Sequence, residues 1–270
     1  MCADEVPPLT RRALDELYAR YNRPRFVHPD PLEFLYNYED RCDREVVGLV
    51  ASSLAYGRVA QILKSVSCVL ERMQPTPSVF LRQSSKARMY RTFADFRHRF
   101  TTGGELSALL WGVKGVIDRY GSLNACFATS MGDGESTTLP ALASFVQELN
   151  AGSGLLHNSL LPSPARGSAC KRLNLFLRWM VRQDMVDPGG WEHVPVSKLV
   201  IPLDTHMHRI CLALGLTHRR QADLRTALEV TAAFRVIAPH DPVRYDFALT
   251  RLGIRNDTDL DAFLEKVVLQ

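Results

Sequence analysis

The sequence predicts an all-α protein. Apolar residues recur at spacings of three and four through most of its 270 residues, and no run alternates apolar and polar residues between turn signals as a half-buried strand would. With 46% hydrophobic and 23% charged residues, the chain has the composition of one that folds around a substantial core. Leu14, Leu17 and Tyr21 share one side of a first helix, predicted over Thr10 to Tyr21. Asp30-Pro31-Leu32-Glu33 supplies the start of a short second helix, and Asp43 is placed to cap a third that carries Val46, Val47, Val50 and Leu54. Tyr56-Gly57-Arg58 interrupts this period, which resumes with Ile62, Val66, Val69 and Leu70, so two helices are expected to meet at Gly57. Phe93 to Phe100 is aromatic and basic, whereas Leu106, Leu109, Leu110, Val113 and Ile117 mark a buried helix over Glu105 to Tyr120. Residues 131–136 and 150–167, rich in turn formers, are expected to be loops.

Several classes of protein are set aside by composition. No apolar stretch approaches the roughly 18 residues needed to cross a bilayer, and the Met-Cys-Ala-Asp-Glu start lacks the basic and apolar regions of a secretory leader, so a cytoplasmic location is expected. The six cysteines, Cys2, Cys42, Cys68, Cys126, Cys170 and Cys211, are scattered without a Cys-x-x-Cys pair. Neither a zinc ribbon nor an iron–sulfur cluster is expected, and no cofactor is predicted. A net charge of +4 permits an anionic partner without requiring one.

The chemistry concentrates in two helices. In Gly167-Ser168-Ala169-Cys170-Lys171-Arg172-Leu173-Asn174-Leu175-Phe176-Leu177-Arg178-Trp179-Met180-Val181-Arg182, Ser168 stands where an N-cap belongs and Lys171 falls in the first turn. At 100° per residue, Leu173, Phe176, Leu177 and Met180 form an apolar back, while Lys171, Asn174, Arg178 and Arg182 form a basic front. The helix dipole and two neighbouring cations disfavour an ammonium at Lys171 and so favour the neutral amine of a Schiff-base lysine. The free amides of the same turn suit a phosphate. A solvated basic face on a structural helix is the plainer alternative.

The second helix is predicted to begin at Asp204 or Thr205, to bury Met207, Ile210, Cys211 and Leu214, and to end at Gly215. A carboxylate at a helix N-terminus is a weak proton acceptor and a stable negative charge, which suits a transition state with positive charge on a sugar ring; the alternative is that Asp204 merely caps. His206 and His208 lie two apart and point to different sides, so no metal site is predicted.

A basic helix with an early lysine, followed by Pro202-Leu203-Asp204-Thr205-His206 and Arg209, resembles the catalytic segment of the helix-hairpin-helix DNA glycosylase superfamily. The separation of 33 positions from Lys171 to Asp204 is similar to the spacing in archaeal 8-oxoguanine glycosylases. The chain as a whole resembles an uncharacterised bacterial family related to them. The resemblance covers roughly residues 45–253 and departs at the hairpin, where Pro164-Ala165-Arg166-Gly167-Ser168 has one glycine in place of Gly-x-Gly. Leu49 to Val59 is similar to the turn where relatives place a glutamine in the gap left by a flipped base; Tyr56 and Arg58 stand there instead.

The resemblance implies one glycosylase-like unit over residues 1–270, with a central helical lobe over about 44–155 and a second lobe over about 156–270 joined by N-terminal helices within 1–43. It implies a nucleoid-associated monomer acting on damaged double-stranded DNA, with oxidised guanine the favoured base. Lys171 and Asp204 would be catalytic in a base-excision glycosylase and AP lyase. Ser168, Arg172, Arg178, Arg182 and Arg209, with Tyr56 and Arg58, would contact DNA, and Trp179 could stack on a base. Two other roles remain open: a non-catalytic DNA-binding protein on the same scaffold, and a helical scaffold whose basic helix docks an acidic protein.

Overall fold

The computed structural model describes residues 8–153, 158–254 and 263. As expected it is all-α apart from one minimal hairpin. The helices are α1 (Pro8–Tyr21), α2 (Arg41–Ser53), α3 (Val59–Glu71), α4 (Pro77–Gln83), α5 (Lys86–Thr92), α6 (Gly103–Tyr120), α7 (Leu123–Ala128), α8 (Leu139–Ala151), α9 (Lys171–Val181), α10 (Thr205–Ala213), α11 (Leu224–Ile237) and α12 (Asp246–Ile254). Short 3-10 turns lie at Pro24–Phe26, Pro31–Asn37, Pro164–Arg166 and Val196–Lys198. The hairpin pairs β1 (Arg97–His98) with β2 (Thr101–Thr102), in register Arg97 to Thr102 and His98 to Thr101. Strands of two residues are too short to leave an alternating pattern, which is why none is legible in the sequence. Among the described residues, no helix is long and apolar enough to cross a membrane.

The predicted apolar stripes are the ones buried. Leu14, Leu17 and Tyr21 of α1, a helix that packs on α12, are buried, and Val46, Val47 and Val50 of α2 are inaccessible to solvent. Buried residues form one continuous cluster running from Leu14 to Phe263, and α2 packs along α9 within it. At Gly112 of α6 an added Cβ would lie 1.9 Å from the Leu149 carbonyl oxygen of α8, so this crossing admits no side chain. Residues 154–157 of the expected 150–167 loop lie outside the described residues.

Two carboxylates do other work than the sequence suggests. The cap of α2 is Asp40, whose side chain accepts from Asp43 N at 2.9 Å. Asp43 reaches away from its own helix and accepts from Ser78 N at the start of α4, at 2.7 Å, so the expected cap secures a neighbouring helix. Glu45, two residues further along α2 and 4% exposed, accepts from Leu123 N (2.8 Å) and Asn124 N (3.1 Å) at the start of α7 and from Trp191 Nε1 (2.9 Å). Burial pushes its carboxyl up, and these three donors pull the other way.

Helix α9 departs furthest from expectation. Its apolar back is buried as predicted, but Asn174, Arg178 and Arg182 of the supposed basic front are also buried, at 1, 2 and 3% exposure. Arg178 bonds Asp187 Oδ1 through Nε (3.2 Å) and Nη2 (3.1 Å), and pairs with Asp246 through Nη1. Arg182 pairs with Asp187, with Asp184 (2.9 Å) and with Asp241 (2.9 Å). Burial opposes these charges, yet the surrounding carboxylates outweigh it and hold both guanidinium groups above their ordinary pKa. Arg178 and Arg182 are thus structural cations, not phosphate contacts. Trp179 is likewise fully buried and belongs to the core, not to a stacking surface.

Removing Asp187 would leave two buried arginines short of a counter-charge. Asp187→Ala is expected to lose roughly 3–5 kcal/mol of unfolding free energy in urea titration. Within α6 the same substitution should change sign with position: Gly112→Ala lowers stability despite a helix-propensity gain of about 1 kcal/mol, whereas Gly115→Ala, with nothing within 4 Å of its added Cβ, raises it. Denaturation midpoints that moved the same way for both would contradict the close crossing.

Candidate active site

A cleft of about 790 Å³ opens at the N-terminal end of α9. Its walls are the α2–α3 turn (Ala55 to Gly57), Pro29 to Pro31, the first two turns of α9, Pro202 to His206, and Asp246, Thr250 and Arg251 of α12. Ile62, Leu175 and Leu203 make part of it apolar.

Lys171 is the first residue of α9, so the expectation of a first-turn lysine holds, but its cap differs. Ser168 is not the N-cap; Cys170 is, in the left-handed region at φ 48°, and Ser168 Oγ accepts from Cys170 N at 3.1 Å. Gly167, at φ 75°, is left-handed as well. The approach to α9 therefore has two left-handed residues, one of them not glycine, and Asn174 steadies it by donating from Nδ2 to Ala169 O at 3.0 Å. Ser168 lines a second hollow of about 380 Å³ beside Lys171.

Asp204 caps α10 as predicted. Its Oδ1 accepts from His206 N (3.0 Å) and Met207 N (2.8 Å), while its Oδ2 stands 3.7 Å from Lys171 Nζ. The two carboxylate oxygens have separate tasks: one completes the helix, the other faces the lysine. Both side chains stay partly open to solvent, at 27% for Lys171 and 36% for Asp204. Met207, Ile210 and Cys211 are buried, Leu214 is half-buried, and Gly215 at φ 68° ends the helix.

Carbonyls at the end of α2 receive the first two cations of α9. Lys171 Nζ donates to Ala55 O at 3.3 Å and Arg172 Nη1 to Ser53 O at 2.8 Å; Arg172 Nη2 also donates to Ser159 O. The negative end of one helix thus offsets charge at the positive end of another. Arg172 lies over the Tyr56 ring, 5.0 Å from its centroid. Tyr56 also reaches the hairpin: its hydroxyl bonds His98 O (2.9 Å) and Thr101 Oγ1 (2.6 Å), and its ring stacks on Phe100 at 4.9 Å. Phe100 is 64% exposed at the hairpin tip, where only the aromatic and basic character of residues 93–100 hinted at it. Arg58 and Arg209 are exposed and, among the described residues, have no ion-pair partner.

The histidines serve different surroundings. His208 Nε2 bonds Arg219 O at 2.8 Å, whereas His206 Nε2 lines the cleft, buried and without a partner among the described residues. Burial holds the His206 pKa below its ordinary value, so the ring is neutral at pH 7. Among the described residues no group of three or more His, Cys, Asp or Glu could hold a metal ion. Asp246 and Arg251 have no motif around them and escaped the sequence reading, because their place in the cleft depends on contacts made far along the chain.

The dual task of Asp204 predicts a separation of effects. Asp204→Asn keeps an acceptor for the α10 amides and should leave thermal stability nearly unchanged, while Asp204→Ala should cost about 1 kcal/mol. Equal melting temperatures for the two variants would show that the cap is unimportant.

A comparison with curated proteins gives no significant match, and neither does one with solved structures. A family model described as protein of unknown function (DUF2400) matches residues 30–255, which takes in all of the cleft lining but Pro29, and the chain belongs to that family.

Proposed function

We propose that the protein is a DNA glycosylase with AP lyase activity that excises a damaged base, oxidised guanine being the favoured one, from double-stranded DNA. The observation that carries this reading is the pair of Lys171 Nζ and Asp204 Oδ2, 3.7 Å apart at the rim of an open, partly apolar cleft. A base rotated out of its stack, at a cost of a few kcal/mol, would enter the cleft with its ring against Ile62 and Leu175. The Lys171 amine then attacks C1′ of the sugar; the N–C1′ bond forms as the glycosidic bond breaks, and the departing base takes a proton from the attacking nitrogen. The fixed charge of Asp204 stabilises the cationic sugar between these events. Ring opening gives a Schiff base, from which loss of a C2′ proton expels the 3′ phosphate and nicks the strand.

The surfaces around the cleft suit a duplex. Arg58 and Arg209 are free to meet phosphates, and Ser168 with the first amides of α9 offers an uncharged phosphate seat. Phe100, stacked on Tyr56 beside Arg58, adds an exposed ring of the kind that fills a disrupted base stack.

Borohydride added to the protein with duplexes carrying 8-oxoguanine or an abasic site is expected to trap a covalent adduct in wild type and none in Lys171→Ala. Binding to these duplexes without an adduct on any of them would favour a non-catalytic DNA-binding role. Arg58→Ala and Arg209→Ala should each weaken binding and reduce the slope of log affinity against log salt by about one. Fluorescence anisotropy across a salt series measures that slope, and an unchanged slope removes the residue from the interface.

A further inference from the structure

The floor of the cleft holds a carboxylate with one oxygen unengaged. Asp246 opens α12, is 1% exposed, and pairs with Arg178 through Oδ2; its Oδ1 is buried and has no hydrogen-bond partner among the described residues. Arg178 meets Asp246 at Oδ2 alone, and its Nε and Nη2 are bonded to Asp187. Buried acceptors are nearly always satisfied, so an unfilled one on a cleft wall marks a place for a ligand donor. Burial pushes the Asp246 carboxyl up to about 6 against the opposing pull of Arg178, whose guanidinium at Oδ2 favours the ionised, acceptor form.

Position along α9 says which part of a ligand it meets. Arg178 follows Lys171 by seven residues, two turns on the same face and about 10 Å along the axis, and the carboxylate paired with it lines the same cleft as the lysine. A ligand whose reacting carbon touches Lys171 Nζ reaches Asp246 with the far edge of its ring. The unpartnered His206 Nε2 of the same cleft belongs to a neutral ring, and in the Nε2–H tautomer it is a donor. An acceptor and a donor together complement a lactam edge, N–H beside C=O.

We infer that Asp246 reads the far edge of the bound base, accepting a ring N–H of a lactam-type nucleobase on Oδ1, with His206 Nε2 donating to the adjoining carbonyl. This deepens, and rests on, the glycosylase reading above. Asp246 sets specificity and takes no part in the bond changes at the sugar.

The test compares excision of 8-oxoguanine, hypoxanthine and uracil from duplexes with excision of the same bases methylated at the ring N–H. Wild type is expected to lose about tenfold to a hundredfold in single-turnover rate on methylation, the size of a hydrogen bond to a charged group. Asp246→Asn should lose a similar factor on the unmethylated base and discriminate less than about twofold, yet trap an abasic duplex with borohydride as fast as wild type. Equal wild-type rates on both forms of every base would overturn the inference, as would a variant that still discriminates or one that loses abasic trapping too. Should Asp246→Asn fail to fold, the wild-type comparison decides alone. Absence of any wild-type adduct or excision defeats the glycosylase reading separately. In that event, a rise in Tm on adding inosine but not 1-methylinosine still supports lactam recognition on the floor, and no rise with inosine refutes it.

Discussion

The buried ion network on α9 is the constraint from which the rest of the molecule is organised. Arg178 and Arg182 lie inside the protein, and carboxylates drawn from the segment after α9 (Asp184, Asp187), from the approach to α12 (Asp241) and from α12 itself (Asp246) converge on them. Such a network is no strong source of net stability, since desolvation consumes much of the attraction. What it does is fix arrangement: each carboxylate is satisfied only with its chain segment in one place, so α9, the 182–191 turn and α12 are locked in mutual register. Tyr18 extends this lock to α1 by donating to Asp184 at 2.9 Å.

The cleft lies at the other end of the same helix. One side of α9 faces α2 and supports the core through Phe176 and Met180; its first turn carries Lys171; its later turns carry the charges that hold Asp246 beneath the cleft. The lysine, the carboxylate cap of α10 and the floor carboxylate are thus placed by a single rigid element and its ionic partners, an arrangement that keeps reactive groups at fixed separations more reliably than loops would.

Much of this was legible in the sequence. The 3.6-residue period gave the all-α class and the burial of α1, α2, α3 and α6, and local capping chemistry identified Asp30 and Asp204, because those signals depend only on near neighbours. Lys171 and Asp204 were paired by motif and meet in space. The errors share one cause: the sequence shows charge but not what surrounds it. Arg178 and Arg182 read as an exposed basic front for DNA until carboxylates up to 68 residues away arrive to enclose them. Asp43 read as its own helix's cap because its real task depends on Ser78, 35 residues on. Ser168 read as a cap because nothing local reveals that Cys170 adopts a left-handed backbone. The hairpin and Asp246 left no periodic trace at all.

The tethering of Lys171 and Arg172 to the carbonyls that end α2 has a consequence for association. Long basic side chains on a protein surface sample many rotamers, and a ligand that fixes them forfeits that entropy. Here both side chains are already held by Ala55 O and Ser53 O, with Arg172 also pressed against Tyr56. An arriving anion or sugar would find the cations in position, and the conformational cost of ordering them has been met during folding.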